Sequence, residues 1–195
     1  HEDAIFPVRA AGIPVNIKNT NQPEDRGTMI VSESAEHCDH IITGIAGKKG
    51  MSVINIEKDK MNSEIGFGKN VLRALEKSNV SFEHMPSGVD TMSVVIATEA
   101  LAGKETAIID EIKSRVHPDQ IYIESNLALI AVVGRGMKSA RGTAAILFSA
   151  LADARVNIKM IDQGSSELNI IVGVEEEDFE VAIKAIYKRF IGINQ

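Results

Sequence analysis

The apolar and polar positions of the chain recur with two periods, which predict helices and strands in a regular order. One apolar face at helical spacing predicts a helix with Phe67, Val71, Leu72 and Leu75 inward. A second such face carries Ile108, Ile109, Ile112 and Val116. Strands are predicted at residues 41–46, 51–56, 80–85, 91–97 and 121–124. Between the first two strands, Gly47-Lys-Lys-Gly50 predicts a hairpin turn or an interruption of one long strand.

The same order of elements returns later in the chain at a fixed offset of 76 residues. The pairs that match without a gap are Met61 with Met137, Ser63 with Ser139, Gly66 with Gly142, Ala74-Leu75 with Ala150-Leu151, Val80 with Val156, and Gly88 with Gly164. The second copy has predicted strands at residues 127–133, 156–161 and 168–174, and its helices carry Leu147, Phe148, Leu151, Ile183, Ile186 and Phe190. The chain therefore contains two copies of one βαββαβ module.

The second copy lacks a closing strand, because residues 191–195 are too few to form a convincing one. Ahead of the first module, residues 2–11 favour a short helix, and residues 13–17 and 28–31 read as brief strands. The spare strand at 28–31 is the expected donor for the second module. This predicts a discontinuous second module that is interlocked with the first.

Composition and charge exclude several classes of function. The net charge of −6 is unsuited to nucleic acid, whose phosphates require clustered Lys and Arg. Cys38, the single cysteine, excludes an intramolecular disulfide, and no apolar run approaches the ~18 residues of a membrane span. We therefore expect a soluble, cytoplasmic chain. It begins at His1 with no signal pattern, which suggests a piece of a longer protein.

The candidate site is a loop in the first module that leaves a strand and enters a helix. Unpaired N–H groups at a helix start favour a carboxylate, and Gly66 and Gly68 allow close approach to the backbone. On the next strand, Val80 and Phe82 are expected inward, which leaves Ser81 and Glu83 on the other face. Glu83 is suited to an ammonium group, and the turn from Ser87 to Asp90 adds oxygen acceptors. Together these features describe a site for a free amino acid.

The two copies differ at the positions that matter for this site. The second copy has Lys159 in place of Glu83 and Asn157 in place of Ser81, and a lysine repels an ammonium group. We therefore predict one effector site per chain, in the first module. The structural alternative is that the glycines only permit a tight turn and that Glu83 is merely solvated.

Two weaker signals favour structural interpretations. The Gly-containing segments at 66–69 and 134–139 lack the spacing of a phosphate-binding P-loop. Residues 37–40, His-Cys-Asp-His, are too crowded for normal zinc-ligand spacing and are expected to be a solvated linker, so no metal site is predicted.

Three passages resemble the regulatory region of the aspartokinase family. They are residues 13–28, which resemble the exit from the amino-acid kinase domain, residues 61–67 with 80–90, which resemble the effector loop and strand of a first ACT domain, and residues 127–142, which resemble the opening of a second. The resemblance implies an α+β fold of two ferredoxin-like ACT domains in tandem, the second discontinuous. The implied limits are a kinase-domain remnant and linker at 1–26, a first ACT domain at 41–125, and a second at 27–40 plus 126–195.

The resemblance also implies a site, partners and a role. The effector candidates carried over by position are Met61, Gly66, Phe67, Gly68, Ser81, Glu83, Ser87 and Asp90. The implied partners are a feedback amino acid, a second copy in a homodimer, and the protein's own kinase domain, which is expected to hold ATP and Mg. The family's Lys-Phe-Gly-Gly type of motif is absent, so this chain is expected to be catalytically inactive and to need no cofactor.

The identity of the effector stays open at this stage. Some family members place Asp where Glu83 stands, and the turn before Thr91 is longer here. Lysine is favoured because an acidic pocket can hold its second ammonium group, and threonine is the alternative. A ligand-free dimerisation module is a further alternative. The chain lacks the strand aromatics that an RNA-binding module needs and the paired cysteines that a metal-carrier module needs.

Overall fold

The computed structural model describes residues 2–31 and 40–192, in two compact units that divide between residues 39 and 40. The N-terminal unit contains helix α1 (Glu2–Ala10) and an antiparallel pair of short strands, β1 (Val15–Ile17) and β2 (Thr28–Ile30). All three elements confirm the predictions, with ends shifted by one or two residues. Residues 32–39, which include Cys38 and most of the 37–40 cluster, and residues 193–195 lie outside the described part of the chain.

The second unit is built on one antiparallel sheet in the order β4-β3-β5-β7-β6. Its strands are β3 (Gly44–Glu57), β4 (Thr91–Ala97), β5 (Gln120–Val133), β6 (Met160–Asp162) and β7 (Asn169–Glu175). The central strands β3 and β5 have 14 residues each and pair along their length, with irregularities in register between Lys48 and Val53. Of the two readings of Gly47–Gly50, the single long strand is therefore the one observed.

Helices cover the sheet in two sets, one for each copy. The first copy has α2 (Phe67–Lys77), α3 (Thr98–Leu101) and α4 (Glu105–Val116), and the second has α5 (Thr143–Asp153) and α6 (Phe179–Gly192). Val71, Ile108 and Ile112 are fully buried against the first half of the sheet, and Leu147, Leu151 and Ile186 against the second. Each copy therefore has a core of its own.

The internal repeat is confirmed in three dimensions. Gly66 and Gly142, which match at the offset of 76, both precede a helix with φ of +85°. Met61 and Met137 are both 4% exposed, and Val80 and Val156 are both 7% exposed. Positive φ explains why glycine is needed before both helices, since L side chains are strained there.

The closing strand of the second copy differs from the prediction. Residues 44–48 of β3 pair with residues 129–133 of β5, whereas Thr28–Ile30 pairs with Val15–Ile17. The assignment of residues 28–31 as the donor was therefore wrong, because the first half of the long strand β3 already fills that edge. The residues that do pair at this edge, 44–48, nevertheless come before the first copy's own strand, which begins at Met51. We accordingly propose that the boundary between the copies crosses β3 near residues 48–51.

The helix-free face of the sheet curls inward until its two edges meet. Residues 84 and 87 extend the β4 edge by single bridges to Val95 and Met92, and β6 forms the opposite edge. His84 Nδ1 nevertheless lies 3.5 Å from Asp162 Oδ2 of β6. A third apolar cluster, made of strand residues alone, lies on this inner face and contains Met51, Val53, Val95, Leu127, Leu129 and Ile171.

Two predicted strands are shorter than expected. Residues 80–85 make only the bridge at His84, and the strand predicted at 156–161 is reduced to Met160–Asp162. Phe82, which was expected to point inward, is 44% exposed. The strict alternation of a strand is lost there because continuous ladder pairing is absent from this segment. None of the described helices is long and apolar enough to cross a bilayer.

Candidate functional site

The loop before α2 is held by two buried side chains. Met61 and Phe67 are each 4% exposed and belong to the first core, so their side chains anchor the loop and face the protein interior. Between them Ile65 is fully exposed and Gly66 adopts φ of +85°. The loop therefore presents its backbone to solvent at residues 64–66 while both of its ends are fixed.

The neighbouring turn fastens this loop through hydrogen bonds. Asp90 Oδ1 accepts from the N–H of Lys60 at 2.8 Å, and the Asp90 carbonyl accepts from the N–H of Lys58 at 2.8 Å. The N–H of Asn62 donates to the carbonyl of Val89 at 3.1 Å. Asp90 is therefore already engaged in structural hydrogen bonds. The prediction that it contacts a ligand did not include these bonds.

The start of α2 retains donors of the kind that bind a carboxylate. The N–H groups of Phe67 and Asn70 donate to the carbonyls of Glu64 and Gly66. In the part of the chain that the structure describes, the N–H groups of Gly68 and Lys69 have no backbone acceptor. These groups carry the positive end of the helix dipole, which favours an anion.

Gly68 is not required by the packing of the unliganded chain. Its φ is not positive, and an added Cβ would meet only Met92 Cε at 3.6 Å and Met85 Cε at 4.0 Å, which is ordinary contact. The second copy has Ala144 at the matching position. The Cβ direction of Gly68 therefore points at two methionine methyl groups of the first core and not at open space.

Ser81 and Glu83 lie in the exposed segment that follows α2. The N–H of Glu83 donates to the carbonyl of Val95 at 2.8 Å, and its carboxylate accepts from Lys48 Nζ at 2.6 Å. Its side chain is 38% exposed, so the ion pair is accessible to solvent. Ser87 lies farther along, bridged to Met92, and lines a cavity on the inner face of the sheet.

The charge reversal between the copies has a structural counterpart. The N–H of Lys159 donates to the carbonyl of Gly173, as that of Glu83 does to Val95. Glu83 pairs with Lys48 of β3, and Lys159 pairs with Glu124 of β5 and with Glu175 Oε1 at 3.1 Å. The hydrogen bond that Lys159 donates to Glu124, followed by the one it donates to Glu175, raises the pKa of Lys159 above its ordinary value. Each copy therefore forms an ion pair with one of the two shared strands. The strand supplies the cation, Lys48, in the first case and the anion, Glu124, in the second.

The backbone of residues 40–43 packs against the Gly-containing loop of the second copy at 134–139. A Cβ at Gly136 would lie 2.5 Å from the His40 carbonyl oxygen, and one at Gly134 would lie 2.6 Å from Ile42 Cα. The N–H of Thr43 donates to the carbonyl of Val133 at 2.7 Å. The glycines of this loop thus serve close backbone packing. No clue in the sequence marks the segment at 40–43 as their neighbour.

Comparisons with known proteins agree on one family. The ACT domain family matches residues 130–190. Aspartokinase 3 of Bacillus subtilis is 42% identical over 191 residues, which cover 97% of this chain and 42% of that protein. The crystal structure of Clostridium acetobutylicum aspartate kinase superposes with a TM-score of 0.92 at 55% identity, covering 98% of this chain and 44% of that one.

A regulatory subunit alone gives a similar match. The structure of the regulatory subunit of aspartate kinase from Thermus flavus has a TM-score of 0.67 at 20% identity, over 76% of this chain and 98% of that one. This match supports the tandem fold. The chain spans less than half the length of the Bacillus and Clostridium relatives.

Proposed function

We propose that this chain, an ACT-domain regulatory region of the aspartokinase type, senses a free amino acid and passes the signal to a kinase domain. The proposed enzyme transfers phosphate from ATP to L-aspartate and forms 4-phospho-L-aspartate. We infer that ATP and Mg belong to the kinase domain and that this region is catalytically inactive. The observation that carries the proposal is the anchored loop at 61–68, with free helix-start donors and an exposed backbone.

The proposed binding mode uses backbone groups for the head of the ligand. The α-carboxylate accepts from the N–H groups of Gly68 and Lys69, which have no backbone acceptor among the described residues. Ser81 and the carboxylate of Glu83 supply acceptors for an ammonium group. Met61, Phe67 and Asp90 hold the loop in place, so we assign them supporting roles.

Lysine is the proposed effector, with threonine as the alternative. An accessible carboxylate at Glu83 favours a ligand with a second positive charge, although Lys48 competes for the same group at 2.6 Å. Inhibition requires that the ligand bind one domain arrangement more tightly than another, with a coupling of typically ~1–3 kcal/mol.

A homodimer through the first module is the proposed assembly. Ile65 is fully exposed, Val89 is 63% exposed and Phe82 is 44% exposed, all on the loop, turn and edge segment of this copy. Exposed apolar side chains grouped on one region are typical of an interface. The same surface also supports the alternative of a dimerisation module that binds no ligand.

Calorimetric titration separates these functions. Among lysine, threonine, methionine and leucine, we expect one lysine per chain to bind at the loop at 61–68. Glu83→Gln, which removes the charge of the proposed ammonium acceptor, should weaken lysine binding at least about ten-fold without lowering Tm. Glu76→Gln, on the exposed face of α2, is the matched control.

The outcome decides between sensor and dimerisation module. Binding of threonine instead of lysine would revise the effector alone. If none of the four amino acids binds while sedimentation shows a dimer, the dimerisation module is the function.

A further inference from the structure

The curled inner face of the sheet encloses a cavity of about 270 Å³ that is separate from the loop at 61–68. Its apolar wall comes from both copies and includes Val53, Val95, Leu127, Leu129 and Met160. The volume is close to the lower end of small-molecule pockets, about 300 Å³. A molecule of amino-acid size therefore fits this volume.

Opposite charges stand side by side in the wall of this cavity. Lys159 and Glu124 both line it and form an ion pair with each other. An ammonium group has three N–H donors, and the contacts of Lys159 with Glu124 and Glu175 account for two of them. Glu124 contacts Lys159 through Oε1, which leaves Oε2 as an acceptor. Lys159 is thus a cationic donor shared by two carboxylates, and Glu124 beside it keeps one acceptor oxygen.

The remaining polar groups form a neutral wall. Ser93 Oγ donates to Asn55 Oδ1 at 2.8 Å, so the Asn55 amide still has N–H donors to offer. Ser87 and Thr91 add hydroxyl groups to the lining. The part of a ligand that lies away from the charges therefore meets aliphatic carbon and neutral polar atoms, which disfavours a second charge.

We propose that this cavity is a second ligand site, which binds a free α-amino acid with a short uncharged side chain. Its carboxylate accepts from Lys159, its ammonium donates to Glu124, and its side chain packs on Leu127 and Leu129. The inference is independent of the function proposed for the loop at 61–68, because the two sites share none of these residues. It also differs from the expectation of a single effector site, since the second site selects a different class of side chain.

The test uses the whole chain and small probes of defined charge. L-Valine carries both charges, 3-methylbutanoate lacks the ammonium group, and isobutylamine lacks the carboxylate. Binding is followed by calorimetry and by the amide NMR shifts of Gly88 and Gly173, which line the cavity. We expect valine to bind and to shift both amides, and each single-charge probe to bind at least about ten-fold more weakly.

Three variants locate the binding. Glu124→Gln removes the acceptor charge while Glu175 continues to hold Lys159. Leu129→Phe fills the cavity with apolar volume and leaves every charge in place. Both should lower valine affinity at least about ten-fold, and Glu76→Gln, on the exposed face of α2, should leave it unchanged. Thermal melts establish that each variant is folded.

Three outcomes would overturn the proposal. The first is that the wild-type chain binds no L-valine up to about 10 mM, which would make the cavity a water-filled space. The second is that valine binds as well to folded Glu124→Gln and Leu129→Phe chains. The third is that isobutylamine or 3-methylbutanoate binds as tightly as valine. Loss of lysine binding in Glu83→Gln alone bears only on the loop site.

Discussion

The strands β3 and β5 run through both modules, so a defect in one core should destabilise the other. Leu75 is 1% exposed in the first core, and Leu151 is fully buried at the matching position of the second. Truncating a buried leucine to alanine typically costs about 2–5 kcal/mol. This is a large fraction of the roughly 5–15 kcal/mol that holds a typical protein folded. Leu75→Ala and Leu151→Ala should each produce this loss in a single cooperative transition.

Urea unfolding and native-state hydrogen exchange measure the coupling. If the modules unfold as one unit, Leu75→Ala lowers the protection of slow amides in β7 by the same free energy as in β4. Glu76→Ala, on the exposed face of the same helix, should change stability by about 0.5 kcal/mol or less. Two separate urea transitions, or a loss of protection confined to residues 51–116, would show that the shared strands do not couple the modules.

Three further predictions follow from particular contacts. Lys48→Met removes the competitor for Glu83 and should raise lysine affinity up to about five-fold by calorimetry, because an exposed ion pair is worth about 0.2–1 kcal/mol; unchanged or weaker binding would argue against Glu83 as the ammonium acceptor. Hydrogen bonds from Lys77 and then Arg115 hold the pKa of Glu111 below its ordinary value, so its stabilisation is present at neutral pH and is lost as the pH falls through that lowered pKa. The difference in Tm between wild type and Glu111→Gln should therefore shrink to zero in acid, and a difference that grows on acidification would contradict this sign. Gly136→Ala should lower stability by about 1–3 kcal/mol, since its Cβ would meet the His40 carbonyl, whereas Gly44→Ala has nothing within 4 Å and should be neutral in the same melts.

The exposed segment at 81–87 shows where sequence periodicity reaches its limit. Val80 and Phe82 alternate with polar residues, but only Val80 is buried, because bridges at His84 and Ser87 replace a continuous ladder. Periodicity reports burial only where pairing enforces it. The candidate list was affected in a similar way. Met61 and Phe67 were predicted to contact the effector, but both are only 4% exposed and anchor the loop in the first core.

The amino-acid sequence by itself determined the duplicated module, the helix faces and the glycines before α2 and α5. These features depend on local periodicity, on backbone conformation and on a repeat of 76 residues, all of which can be read along one chain. Only the tertiary structure decided that residues 44–48 close the second copy and that His84 meets Asp162. It also decided that Lys159 pairs with Glu124 in the wall of a cavity. These outcomes depend on the curvature of a twisted sheet and on which distant strand pairs at its edge. The spacing of apolar residues along the chain specifies neither of them.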